Sequence, residues 1–198
     1  MTTLQLNTSL FGAAGQSTQL ANQFVAQLGG EVTVRDLATD PVPHLDAERF
    51  QAFIAKPESR TTEQNAVVAY SDQLIQELKD ADNIVIGLPM YNFSVPSTLR
   101  AYFDHVARVG VTFSYTEKGP VGLLTGKRAY VFVTRGGVYG SNHIQTAYVR
   151  DFLAFLGITD VQFVYAEGLA ISPASKDGAL AKAREAIVRL NAPGYALT

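Results

Sequence analysis

The sequence predicts an α/β fold in which a doubly wound parallel sheet carries helices on both faces. Three observations predict it. Short β-branched runs alternate with longer segments of helical periodicity along all 198 residues. The runs Ile84-Val85-Ile86 and Tyr130-Val131-Phe132-Val133 are apolar at every position, as strands buried on both faces require. Five strands alternating with five main helices also need right-handed crossovers, which distribute helices to either side of a five-stranded sheet.

Each element follows in order. Leu4, Leu6 and Thr8 alternate in a first strand that is more polar, at Gln5 and Asn7, than a central strand usually is. A helix runs from Ser17, with Leu20, Phe24, Val25 and Leu28 on one face, and Gly29-Gly30 ends it. Glu31 to Leu37 alternates as a strand near an edge, and one short helix spans Ala47 to Ala55 in a proline-punctuated tract. Thr61 and Gln64 form a capping box for a helix striped by Val67, Tyr70, Leu74, Ile75 and Leu78. The strand Ile84 to Leu88 comes next, then a helix over Thr98 to Val109 with Leu99, Tyr102, Phe103 and Val106 inward. Val111 to Leu124, broken by Gly119-Pro120, is an excursion or hairpin. Ala129 to Thr134 is another buried strand, followed by a helix bearing Ile144, Tyr148, Phe152 and Phe155. Val161 to Tyr165 is the last strand, and Leu180, Ala183, Ile187 and Leu190 stripe the last helix. No linker or repeat interrupts this order, so residues 1–198 are expected to form a single domain.

Composition narrows the function. The chain is 47% hydrophobic and 17% charged with a net charge of −2, so it has no basic footprint for nucleic acid. It has no cysteine, which removes thiol catalysis and disulfides. No run is long enough to span a membrane, and Met1 to Gln5 does not open a signal peptide, so a cytoplasmic location is expected. His44, His105 and His143 lack metal-ligand spacing and suit solvated or capping roles, so no metal site is expected.

Three loops at the carboxyl ends of the central strands converge on one rim, where open α/β sheets bind ligands. The first, Ser9 to Thr18, opens a helix whose free N–H groups and dipole attract an anion; Ser9, Gln16 and Ser17 add side-chain donors. Ser17 equally suits a plain N-cap worth about 1 kcal/mol. The loop has neither the Gly-Lys-Ser/Thr ending of a P-loop nor G-x-G-x-x-G. The second loop, Pro89-Met90-Tyr91-Asn92-Phe93-Ser94, offers flat apolar surface with polar edges and backbone N–H groups, apt for a flat heteroaromatic ligand. The third, Thr134-Arg135-Gly136-Gly137, has two glycines that permit positive φ and a close approach of backbone to ligand.

Together these pieces resemble the FMN-dependent NADH azoreductases of the flavodoxin-like NAD(P)H:quinone oxidoreductase superfamily. The resemblance rests on Pro89 to Phe93, the helix Leu99 to Arg108, Gly110 to Glu117, Thr134 to Gly137, Gly157 to Asp160 and Ala166-Glu167-Gly168, and it covers nearly the whole chain. It implies a flavodoxin-like sheet of order 2-1-3-4-5, an obligate homodimer with sites at the interface, and one FMN per subunit. It also implies ping-pong reduction of azo compounds and quinones by NADH or NADPH. Carried over by position, Ser9, Gly15, Gln16 and Ser17 lie at the FMN phosphate. Pro89, Met90, Tyr91, Asn92 and Phe93 wrap the isoalloxazine edge, and Thr134, Arg135, Gly136 and Gly137 its pyrimidine side. Gly15 stands where the family often has serine, which costs one side-chain hydrogen bond, and Thr134 often appears as serine.

The flavin carries the redox chemistry, so no catalytic acid or nucleophile is expected of the protein. Backbone N–H groups of Asn92 and Phe93 are expected at N5 and O4, and those near Gly136 and Gly137 at N3, O2 or N1. Substrate would stack on the open ring face beside Asn92, with Tyr115 and a partner subunit's Phe155 as candidate walls. The competing reading is a flavodoxin-type one-electron carrier, for which a net charge of −2 is weakly acidic.

Overall fold

A computed structural model of the chain describes residues 1–190. In chain order the elements are β1 (Thr2–Asn7), α1 (Gln16–Leu28), β2 (Glu31–Asp36), α2 (Ala47–Ile54), α3 (Thr62–Asp80), β3 (Asn83–Pro89), α4 (Ser97–Val106), β4 (Phe113–Thr116), β5 (Gly119–Gly122), β6 (Arg128–Thr134), α5 (Ile144–Leu156), β7 (Asp160–Ala166) and α6 (Pro173–Leu190). The five long strands form one parallel sheet in the order β2-β1-β3-β6-β7, which is 2-1-3-4-5 when only its own strands are counted. The expected excursion is an antiparallel hairpin, β4–β5. The N-terminal end of α1 therefore opens where the strand order reverses, between β1 and β3.

Strand alternation divides the core. Leu4, Leu6, Ile84, Ile86 and Leu88 pack with residues of α3, α4 and α5 on one face. Val85, Tyr130 and Phe132 point the other way, against Leu20 and Phe24 of α1 and Ile187 of α6. β1 is central despite its polar residues because they satisfy one another. Gln5 Nε2 donates to Asn7 Oδ1 at 2.8 Å and to Asn22 Oδ1 of α1 at 2.6 Å. The capping box at Thr61 and Gln64 forms in both directions.

Some sequence expectations need correction. α4 stops at Val106 rather than Val109. The Thr112 hydroxyl donates to the Val106 carbonyl at 2.6 Å and accepts from the Arg108 N–H at 2.9 Å, closing the last turn, and Gly110 follows at φ +76°. β2 ends at Asp36, one residue short of Leu37. His105 is neither solvated nor capping: it is fully buried on α4, its Nδ1 3.0 Å from the Ala101 carbonyl oxygen, its Nε2 unpartnered. His143 does cap, accepting from the Gln145 N–H at 3.2 Å, and Arg100 pairs with Asp104 at 3.5 Å. No helix among the described residues is long and apolar enough to cross a membrane.

Burial holds the His105 imidazole below its ordinary range; the hydrogen bond to Ala101 opposes this and nearby Arg49 reinforces it. A folded-state value below the unfolded one means protons favour the unfolded chain. The associated stability is complete above pH ~6.5 and is lost as pH falls towards the depressed folded value. Urea midpoints measured between pH 7.5 and 5 should therefore fall in the wild type. In His105→Gln they should start lower and vary less with pH; equal slopes would remove His105 as the cause.

Candidate functional site

The first loop is built around a glycine contact and two unpartnered hydroxyls. The Thr8 hydroxyl donates to the Gly87 carbonyl at 2.7 Å, tying the end of β1 to β3. A Cβ at Gly87 would stand 3.1 Å from the Ser17 carbonyl, so this glycine lets the first turn of α1 rest on the sheet. The N-cap is Gly15, in extended backbone with no side-chain cap, and Ser17 is the second helical residue. Ser17 is thus not the N-cap that its residue type also suited. Among the described residues its hydroxyl and that of Thr18, both buried, have no hydrogen-bond partner, and the N–H groups of Gln16, Ser17 and Thr18 donate to none of them. Ser9 is 2% exposed; its Oγ accepts from the Phe11 N–H at 3.2 Å and lies 3.5 Å from Tyr91 Oη. A side chain at Gly15 would collide with the Ser9 hydroxyl, so a serine there could not coexist with this Ser9 placement.

The second loop is a tight turn, although its residues do not look like turn formers. Tyr91 and Ser94 exchange backbone hydrogen bonds at 3.2 and 3.0 Å, and the two residues between them are left-handed, Asn92 at φ +49° and Phe93 at φ +65°. Asparagine tolerates that region; phenylalanine there is strained by about 1 kcal/mol or more. The N–H groups of Asn92 and Phe93 both lack a partner among the described residues. Tyr91 reaches back to the first loop, its hydroxyl accepting from the Leu10 N–H at 3.1 Å. Met90 donates its N–H to Thr134 at 2.9 Å, joining the second loop to the third.

In the third loop the Arg135 side chain turns inward. Its guanidinium, fully buried, donates to Gln145 Oε1 (3.0 Å), the Gly140 carbonyl (2.8 Å), Glu167 Oε1 (2.9 Å) and the Thr146 hydroxyl (2.7 Å), and lies over the Tyr165 ring. The backbone of Arg135 is committed as well: its N–H donates to the Ala166 carbonyl at 3.0 Å and its carbonyl accepts from the Leu169 N–H at 3.1 Å. Burial opposes ionisation of Glu167, but hydrogen bonds from Arg135 and from the N–H groups of Tyr139 and Gly140 outweigh it and hold the carboxyl below its usual range. Gly136 and Gly137 do not adopt positive φ, contrary to expectation. Their missing Cβ atoms leave room for other groups: the Tyr139 ring comes to 3.0 Å of the Gly137 position and Ala170 to 3.3 Å of the Gly136 position. The N–H groups of both glycines have no partner among the described residues.

The rim therefore presents three sets of unused donors, at 16–18, 92–93 and 136–137, from the three central strands. Around them stand exposed apolar side chains, Leu10, Phe11, Phe93, Val138 and Ile144, and Tyr139 meets Phe93 edge to face at 6.1 Å. Such a patch marks a binding surface. Phe155 is not part of this rim. It sits near the far end of α5, about 16 Å along the axis from the residues that touch the loops, packed on Phe113 at 4.3 Å. Tyr115, 73% exposed on the hairpin, also contacts Phe113. Gln145 and Glu167 were not foreseen as site residues; Glu167 lies within a matching segment, whereas nothing local in the sequence distinguishes Gln145.

Comparison with known proteins places these features in company. The family model described as a flavodoxin-like fold matches residues 1–190. An FMN-dependent NADH:quinone oxidoreductase from Cellvibrio japonicus (strain Ueda107) is 53% identical over 193 residues, covering 94% of this chain and 96% of that protein. FMN-dependent NADH:quinone oxidoreductase 6 of Burkholderia lata is 52% identical over the same length, covering 94% of this chain and 98% of its own. Among solved structures, an FMN-dependent NADH-azoreductase from Bacillus anthracis str. Ames Ancestor in complex with FMN superposes with a TM-score of 0.83 at 30% identity, over 96% of this chain and 99% of that one.

Proposed function

The chain belongs to the flavodoxin-like fold family, and on that premise we propose that the protein is an FMN-dependent NAD(P)H oxidoreductase that reduces quinones and azo compounds. The observation that carries this reading is the set of unused donors on one rim, in particular the buried, unpartnered Ser17 hydroxyl beside free helix N–H groups. That donor set fits a phosphate held without cations, since the first loop has no Lys or Arg. FMN, when bound, supplies two-electron hydride transfer. Ser9, Gln16 and Ser17 would hold its phosphate, with Gly15 leaving room for the Ser9 hydroxyl. Pro89 to Phe93, through the N–H groups of Asn92 and Phe93, and Thr134 to Gly137, through the glycine N–H groups, would hold the isoalloxazine ring. These fixed donors favour negative charge on the ring without needing to reorganise.

With FMN bound, the exposed apolar side chains around the rim would receive nicotinamide and acceptor in turn. Phe155 reaches a ring face only from a second copy of the chain, so a homodimer completes the substrate pocket, with Tyr115 on its exposed hairpin as the other wall. The protein acts in the cytoplasm, as one domain, with neither nucleic acid nor membrane as partner. The relatives' names favour nicotinamide turnover over one-electron carriage.

The purified protein is expected to be yellow and to release one FMN per chain on denaturation. It should oxidise NADH or NADPH with a quinone and with an azo dye in separate assays. FMN without nicotinamide oxidation would leave the carrier; no FMN at all would remove the reading.

A further inference from the structure

We infer that Gln145, which touches no ligand-facing surface, is the positioning residue that fixes the second and third loops relative to each other and thereby tunes the flavin. The inference rests on the flavin reading above. Gln145 is 1% exposed at the start of α5. Its Oε1 accepts from Arg135 Nε at 3.0 Å, and its Nε2 donates to the Pro89 carbonyl at 3.0 Å and the Ser94 carbonyl at 3.2 Å. The amide orientation is dictated by its partners, because Arg135 Nε can only donate and the two carbonyls can only accept.

Each bond bears on a ligand loop. The Ser94 carbonyl also accepts from the Tyr91 N–H, so Gln145 grips the closing residue of the turn that holds Asn92 and Phe93 at positive φ. Pro89 is the last residue of β3, where that loop departs. Arg135 in turn pins Gly140 and Glu167, which hold the segment after Gly136 and Gly137. One side chain thus links the donors at 92–93 to those at 136–137, groups meant for opposite edges of the same rigid ring. No other residue type repeats this set. Glutamate would set an oxygen against two carbonyl oxygens, and asparagine is one methylene short. Methionine matches the volume and makes none of the bonds.

The test is Gln145→Met in the full-length protein, read by FMN titration of the apoprotein, the two-electron midpoint potential of the holoenzyme and the thermal midpoint of the apoprotein. FMN binding is expected to weaken at least tenfold. The potential should fall by about 30 mV, the equivalent of a tenfold greater loss of hold on reduced than on oxidised flavin. Thr146→Val removes another Arg135 partner without touching Pro89 or Ser94, and it should leave the potential at the wild-type value. Wild-type affinity and potential in Gln145→Met would overturn the assignment, as would an equal potential shift in Thr146→Val, which would reduce Gln145 to general stability. Should Gln145→Met not fold, Gln145→Glu carries the same readouts. A wild-type protein that binds no FMN would defeat the flavin reading; a wild type that binds FMN beside an unaltered variant defeats only the role of Gln145.

Discussion

Replacing Arg135 with methionine is expected to lower the stability of the apoprotein by about 3–5 kcal/mol, the usual cost of removing one partner from a buried ion pair. The guanidinium side chain is wholly buried, and its loss leaves Gln145 Oε1, the Thr146 hydroxyl and the Gly140 carbonyl without a donor and takes one donor from Glu167. Methionine fills the stem's volume, so the loss is polar rather than a cavity. Lysine should not rescue it, since a point charge cannot replace a fork that reaches four acceptors. Glu167 keeps the N–H groups of Tyr139 and Gly140, and the double variant with Glu167→Gln should recover part of the loss in a double-mutant cycle. The pH dependence has a definite sign. The Glu167 carboxyl sits below its ordinary range in the fold, so its contribution is complete above pH ~4.3 and is lost as pH falls through the lower folded value. Urea denaturation from pH 7 to 3 should show that acid limb in the wild type and a weaker one in Arg135→Met. A variant whose midpoint matches the wild type at neutral pH would show that this ion pair contributes nothing.

Such buried networks mark the boundary of what the sequence discloses. β3 and β6 are plain in it because burial on both faces leaves uninterrupted apolar runs. β1 is less plain because Gln5 is satisfied partly by Asn22, seventeen residues away, and pairing of that kind leaves no local trace. The end of α4 is hidden for the same reason, since its last carbonyl is capped by Thr112, six residues on. Asn92 is compatible with a left-handed turn, but Phe93 has strand propensity, and only the closed turn shows both at positive φ. Nothing local marks the Arg135 side chain as buried, because the groups that draw it inside are distant: Glu167, 32 residues away, and Gln145, ten away. The sheet order and the cofactor came from family resemblance, because periodicity counts strands without ordering them.

The first loop permits a prediction in which stability and binding move in opposite directions. Ser17→Ala removes a hydroxyl that is buried and unpartnered in the apoprotein. An unsatisfied buried polar group costs about 1–3 kcal/mol, and alanine is the better helix former by a few tenths, so the apoprotein should gain about 1 kcal/mol or more. If that hydroxyl donates to the FMN phosphate, the same change should weaken FMN binding by roughly 10- to 150-fold, as losing a hydrogen bond to a charged group worth about 1.5–3 kcal/mol implies. Because the loop itself has no Lys or Arg, its contacts with the phosphate would be neutral donors, which places the effect towards the upper end. Apoprotein melting and FMN titration on the same preparation read both halves. A purely structural serine would lower stability when replaced and leave FMN affinity unmoved; a phosphate donor held in readiness does the reverse.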